Sequence, residues 1–227
     1  MFKKTALILA IFFMLTSLGF AGVTATYTDM QNILLEAKFN TAKTEKIADP
    51  NNPAGARIQM TAYTPVTIKA TGKAVAADGV TKNITITRIL GADTEALPTL
   101  ATNSNLLGND LKTALATFVT QENAYSGTKN MLVLVTFNTK KNEAVINEQG
   151  DTINKIVYVP ATVKVSGDVY TDDGGSKNLV VAYDIGTASE SQATLREIYT
   201  ALSADPELQG VLKELVLQGI GTDINAK

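Results

Sequence analysis

An internal repeat is the feature that most constrains the fold of this chain. Residues 27–43 match residues 125–141 at an offset of 98, and a second segment, residues 58–91, matches residues 153–186 at an offset of 95. The second match contains 11 identities in 34 ungapped positions, which chance similarity between two β-rich segments explains poorly. The sequence therefore predicts a tandem duplication of one module of about 100 residues, with copies at residues 26–122 and 123–227.

The same order of patterns recurs in both copies, with strands first and a helix last. An apolar segment at residues 32–40, or 130–138, is followed by a hairpin whose turn is Asp78-Gly79 or Asp173-Gly174. Each copy then ends in a helical apolar stripe. We therefore expect a β-rich α+β fold in which each module is a sheet or sandwich with a hairpin and its own C-terminal covering helix.

Two local patterns give sharper expectations. Residues 131–135, with the sequence MLVLV, are apolar at every position, which predicts a central strand covered on both faces. Asp205 followed by Pro206 predicts the start of the last helix, with Asp205 as its N-cap. Gly219 is the predicted end of that helix.

The composition limits the chemistry that the protein can perform. The chain has no Cys and no His, which removes the usual ligands of zinc, copper, haem and iron–sulfur clusters and the Ser-His and Cys-His nucleophile pairs. The formal net charge of -2 provides no basic excess for binding nucleic acid. We therefore expect no cofactor, no metal and no nucleic-acid partner, whereas carboxylate, lysine and tyrosine chemistry stays open.

The N-terminus has the layout of an export signal. Lys3 and Lys4 precede an apolar run at residues 5–20, and small residues follow it. This pattern predicts a signal peptide over residues 1–21, with residue 25 as an alternative end. The rival interpretation is an uncleaved membrane anchor, since a run of this length just spans a bilayer. The expected location is secreted, cell-surface or periplasmic.

Polar residues that recur in both copies are candidate interaction residues. They are Lys69 with Lys164, Lys82 with Lys177, and Asn83 with Asn178. Either both modules use them to contact the same ligand or neighbour, or they form a charged edge that prevents unwanted strand pairing. The first strand, with Asn32, Leu34 and Phe39, is a candidate for exchange with a neighbouring subunit because it lies close to the predicted mature N-terminus.

Three classes of function agree with these patterns. The first is a non-enzymatic structural subunit of the cell surface or of an extracellular filament or layer, whose partners are copies of itself or other envelope proteins. The second is a periplasmic or secreted module that holds a ligand or partner between the two repeats. The third is an enzyme that uses only carboxylates, such as a glycosidase, although no acidic pair for it is evident in the sequence.

Overall fold

The computed structural model describes residues 26–49, 51, 55, 57–120 and 127–224. Three strands and then two helices occur in each half of the chain. The strands are β1 (Tyr27–Ile47), β2 (Ile58–Ala76), β3 (Thr81–Leu90), β4 (Gly127–Ile146), β5 (Thr152–Tyr170) and β6 (Ser176–Ile185). The helices are α1 (Leu100–Ser104), α2 (Asn109–Thr120), α3 (Leu195–Ala201) and α4 (Pro206–Ile220), with a short 3-10 turn at Leu202–Ala204.

The six strands form one open antiparallel sheet in the order β3-β2-β1-β4-β5-β6. The β-rich α+β class is confirmed. The predicted signal peptide at residues 1–21 and the predicted module boundary at residues 122–123 lie outside the described residues. None of the helices in the described part of the chain is long and apolar enough to cross a membrane.

A short ladder between β1 and β4 joins the two halves at the centre of the sheet. Residues 34–38 of β1 pair with residues 132–136 of β4. Two asparagines with positive φ flank each end of this ladder: Asn32 and Asn138 at one end, Asn40 and Asn130 at the other. Asparagine tolerates this left-handed backbone better than most residues. The two strands separate beyond these residues, and a cleft opens at each end of the ladder.

The covering helices are exchanged between the halves. α4 follows the second half of the chain but packs on β1, β2 and β3, whereas α2 follows the first half and packs on β5 and β6. Arg88 of β3 accordingly forms ion pairs with Glu207 (3.2 Å) and Glu214 (3.7 Å) of α4. The expectation that each module is covered by its own helix is therefore wrong, because an apolar stripe does not specify which sheet it covers.

Close helix–sheet packing depends on two mid-strand glycines. Gly72 lies opposite the irregular pairing between Gln31 and Leu34 in β1, and Gly167 lies opposite its counterpart in β4. A Cβ atom on Gly72 would lie 3.2 Å from Cδ2 of Leu215 in α4. A Cβ atom on Gly167 would lie 3.3 Å from Cζ of Phe118 in α2. Each exchanged helix therefore rests on a glycine of the half that it covers.

The predicted apolar stripes of the helices all face the core. The fully buried or nearly buried members are Leu107, Leu111, Ala114, Leu115, Phe118, Ile198, Leu202, Leu208, Val211, Leu212, Leu215 and Val216. The predicted end of α4 at Gly219 is wrong: the helix continues to Ile220, and Gly221 caps it with a φ of 69°. Gly219 is instead a buried helical residue, since a Cβ atom there would collide with the Met30 side chain.

Asp205 connects the two halves in a way that the sequence did not indicate. Pro206 opens α4 as predicted, but the Asp205 side chain makes no capping hydrogen bond to α4. Its carboxylate instead accepts hydrogen bonds from the backbone N–H groups of Asp110 (3.1 Å) and Leu111 (3.3 Å), at the start of α2. Burial, with a smaller contribution from the nearby charge of Asp110, raises the pKa of Asp205 to about 6.

Replacing Asp205 with Asn is expected to remove a pH dependence of stability between about pH 4 and pH 6. An acid whose folded-state pKa lies above its unfolded value stabilises the fold most below the unfolded pKa, and this contribution disappears as pH rises through the folded pKa. The free energy of unfolding of the natural chain should therefore fall relative to Asp205→Asn across this window, by at most roughly 3 kcal/mol. Urea unfolding at half-unit pH steps measures the difference.

Asp93 and Asp168 are expected to change the free energy of unfolding only outside this pH range. Hydrogen bonds from Thr64 and Lys43 lower the pKa of Asp93, and hydrogen bonds from Asn178 and Asn130 lower the pKa of Asp168. Their protonation costs stability only as pH falls below the unfolded value of about 4. Parallel pH profiles for the natural chain and Asp205→Asn would contradict the assignment of the dependence to Asp205.

Candidate assembly surface

One face of the sheet carries the helices, and no element of the described chain covers the other, which we call the helix-free face. Side chains from all six strands cross it in rows. The central row consists of Thr87, Lys69, Glu36, Leu134, Lys164 and Ala182, in strand order. Five of the predicted interaction residues lie on this face: Leu34, Lys69, Asn83, Lys164 and Asn178.

The segment at residues 131–135 is central, as predicted, but it is covered on one face only. Val133 and Val135 are buried beneath the helices. Leu132 and Leu134 point to the helix-free face together with Leu34, and all three are only partly buried. The expectation of cover on both faces is therefore wrong within the described structure. The centre of the helix-free face is a small group of leucines whose cross-strand neighbours are threonine, serine, lysine and Glu36.

The other four candidate interaction residues lie in three different places. Phe39 packs against the core. Asn32 is exposed at one end of the central ladder. Lys82 and Lys177 lie near the starts of β3 and β6, at the hairpin ends. The candidates thus do not converge on one pocket, and all except Phe39 and Asn32 lie on the helix-free face or on the two edge strands.

The edge strands β3 and β6 are unusually long and regular. Each has 10 residues, compared with the roughly 5–6 of a typical strand. Neither contains proline, and the β2–β3 and β5–β6 ladders have no register shift. Proteins usually protect sheet edges with short strands, prolines, bulges or charges. Here the register shifts occur in the β1–β2 and β4–β5 ladders instead.

Charge protects the two edges only weakly. Arg88 of β3 is paired with α4, and Asp184 of β6 is paired with Lys141 and accepts a hydrogen bond from Thr162. Among the described residues this leaves Lys82 and Lys177 as the edge-strand charges with no ion-pair partner. Both lie at the hairpin end of their strand, so most of each edge carries uncharged side chains.

The direction of the strands makes the two edges compatible with each other. Six strands in a fully antiparallel sheet place β3 and β6 in opposite directions. If a second copy is placed beside the first with its helices on the same side, its β3 runs antiparallel to β6 of the first copy. Continuous antiparallel pairing from copy to copy is therefore geometrically permitted.

The acidic residues of the described part of the chain are dispersed. Within them, no group of three or more acidic side chains is placed to hold a metal ion. Asp93 accepts hydrogen bonds from Thr64 (2.6 Å) and Lys43 (2.9 Å), which ties the segment after β3 to the β1–β2 hairpin.

The sequence did not predict the cleft beside Asn40 and Asn103. The one sequence feature that could have indicated it is the recurrence of Asn40 as Asn138 in the second copy.

Comparisons of the chain with protein-family models, with curated proteins and with solved structures gave no significant match.

Proposed function

We propose that this chain is an exported, non-enzymatic structural subunit, built by tandem duplication, that assembles by pairing of its sheet edges. The observation that carries the proposal is the pair of long, regular, weakly charged edge strands that run in opposite directions on one sheet. The predicted signal peptide at residues 1–21 supports export to the cell surface or the extracellular space. The partners are further copies of the same chain.

Structural parallels between the halves support the duplication. Both halves have the same strand order outward from the centre, and the hairpins with Asp78-Gly79 and Asp173-Gly174 join corresponding strands. The left-handed asparagines also occur in pairs separated by 98 residues, Asn32 with Asn130 and Asn40 with Asn138. A duplicated chain of this kind has an outer strand of similar shape at each edge, which suits repeated head-to-tail contacts.

Pairing of β6 with β3 of the next copy is a heterologous contact. Such a contact leaves one unpaired edge at each end of a growing chain, so assembly continues into a filament unless the rotation between copies closes a ring. The natural twist of β-sheets makes that filament helical. Backbone hydrogen bonds supply affinity along ten residues of each edge.

Edge pairing accounts for assembly better than exchange of the first strand. β1 pairs with β2 on one side and with β4 on the other, and its Leu35 is fully buried. Withdrawal of residues 32–40 would therefore separate the two halves of the sheet and expose the core. β3 and β6 pair with a new neighbour without loss of an existing contact.

Like charges on both edges are expected to keep the protein monomeric. The four-lysine variant combines Thr85→Lys and Thr87→Lys on β3 with Val180→Lys and Ala182→Lys on β6, all at exposed positions of the helix-free face. Like charges on adjacent strands destabilise pairing, and opposite charges stabilise it. In negative-stain micrographs and light scattering, the chain from residue 22 should form filaments, and the four-lysine variant should not.

Two further variants make this test specific. A variant with Val180→Glu and Ala182→Glu on β6, and the same two lysines on β3, should assemble again. Thr136→Lys with Ser166→Lys adds two charges to the same face on interior strands and should assemble like the natural chain. The proposal fails if the natural chain is a uniform monomer at all concentrations, or if the interior-strand variant is impaired as strongly as the four-lysine variant.

A further inference from the structure

Arg88 lies on the outer strand β3 and points to the side of the sheet that carries the helices. On the same side of β3, Ile84 and Ile86 are buried. The Arg88 guanidinium forms ion pairs with Glu207 (3.2 Å) and Glu214 (3.7 Å) of α4. Because α4 packs on β1, β2 and β3, these ion pairs hold the guanidinium inward over the sheet and away from its outer edge.

A glycine of α4 makes room for this position of Arg88. A Cβ atom on Gly210 would lie 2.5 Å from Nη1 of Arg88 and 3.2 Å from both Nη2 and Cζ. Glu207, Gly210 and Glu214 are spaced by three and four residues, so they lie on one face of the helix. We call these three residues the α4 clamp.

The clamp and its arginine occur only on the β3 side of the described structure. At the repeat offset of 95, the counterpart of Arg88 in β6 is Tyr183, which packs against the core. The helix that covers β6 is α2, and its one acidic residue is Asp110 in the first turn. The exchange of helices therefore brings the helix with the two glutamates to the outer strand with the arginine.

The β6 strand of a neighbouring copy offers no acidic partner for Arg88. With the helices of both copies on one side, the β6 residues that share the side of Arg88 are Lys177, Leu179, Val181, Tyr183 and Ile185. Burial of a charge against apolar side chains without a partner is costly, and a like charge directly opposite also destabilises pairing. Inward-pointing charges are one means by which proteins block edge pairing. Without the α4 clamp, Arg88 would therefore protect the β3 edge.

We propose that α4 makes the β3 edge competent for pairing by holding and neutralising Arg88 over Gly210. This inference rests on the proposed assembly through the sheet edges and names the element that controls one of them. α4 is the last helix of the chain, and chains are synthesised from the N-terminus. The β3 edge therefore becomes competent only in a complete chain.

Removal of the two carboxylates from the clamp is expected to weaken assembly. In the chain from residue 22, Glu207→Gln with Glu214→Gln keeps the side-chain size and the helix propensity. The concentration at which filaments appear in light scattering should rise about tenfold, while circular dichroism shows an unchanged monomer. Arg88→Met should restore assembly of this variant but change that of the natural chain little, because the two sites are coupled.

Gly210→Ala separates the clamp from a general effect on the stability of α4. Alanine favours the helix over glycine, so a purely structural role for Gly210 predicts unchanged or stronger assembly. The clamp predicts weaker assembly, because the new Cβ atom displaces the Arg88 guanidinium. The matched control is Glu143→Gln with Glu148→Gln, which makes the same change of charge at exposed positions near the β4–β5 turn and should assemble like the natural chain.

The outcomes distinguish the clamp from edge assembly itself. Filaments of the natural chain, together with equal assembly of the Glu207→Gln, Glu214→Gln variant, would refute the clamp and leave edge assembly standing. Failure of Arg88→Met to restore assembly would also refute the clamp. A natural chain that forms no filaments at any concentration would overturn both proposals.

Discussion

Produced separately, residues 26–122 and residues 123–227 are each expected to be unfolded, and an equimolar mixture should recover the native fold. The reason is the exchange of helices, because each half lacks the helix that covers its sheet. Without α4, the buried face of β1 and β2, including Leu35 and Ile68, would be exposed to water. Without α2, the same applies to Val163 and Val165 of β5.

The size of the effect follows from the area involved. A buried leucine or isoleucine contributes about 1.5–3 kcal/mol, and each half would expose several such side chains at once. The loss is comparable to the total stability of about 5–15 kcal/mol that is typical of a folded domain. The cap on α2 would also be lost, since Asp205 belongs to the other half of the chain.

Circular dichroism and thermal unfolding of the two halves, alone and mixed, measure this dependence. A full-length chain cleaved once within residues 121–126 is the appropriate control, and it should stay folded as a two-fragment complex. A monomeric first half with a cooperative unfolding transition would contradict the account. It would mean that α2 can cover its own sheet and that the exchange is dispensable.

The sequence predicted the elements well because their periodicity is a local property. Alternation and Asp-Gly turns identified the hairpins, and the stripes of Leu111 and Leu212 identified buried helix faces. The partner of each helix was not predictable in the same way. α2 and α4 carry similar stripes, and the two halves of the sheet have similar faces, so exchanged and unexchanged packing bury the same kinds of residues.

The contacts of Asn40 and the positions of the edge lysines show a second limit of prediction from the sequence. The side-chain NH₂ of Asn103 donates to Oδ1 of Asn40, and the side-chain NH₂ of Asn40 donates to the Pro98 carbonyl, so Asn40 bonds to residues that lie about 60 positions further along the chain. The lysines at positions 82 and 177 were recognised as recurrent, but only strand order shows that they lie on the two outer strands. Long-range order of this kind depends on which strands pair, and a repeat leaves several pairings equally consistent with the pattern.

The absence of cysteine from the chain makes a direct test of edge assembly available. A double variant, Thr85→Cys on β3 with Val180→Cys on β6, introduces the only two thiols. β3 and β6 are five strand intervals apart, about 24 Å at the usual spacing. A disulfide requires Cα atoms within about 7 Å, so the two cysteines cannot join within one copy. Companion variants with Asn178→Cys or Ala182→Cys in place of Val180→Cys sample neighbouring registers.

Non-reducing electrophoresis of the oxidised double variants is the measurement that tests edge assembly most directly. Pairing of β6 with β3 of the next copy predicts a ladder of dimers, trimers and longer chains in at least one of the three registers. It also predicts that the single variants Thr85→Cys and Val180→Cys do not form chains longer than a dimer. Monomers alone in all three registers, or double variants that stop at dimers, would contradict head-to-tail assembly through the sheet edges.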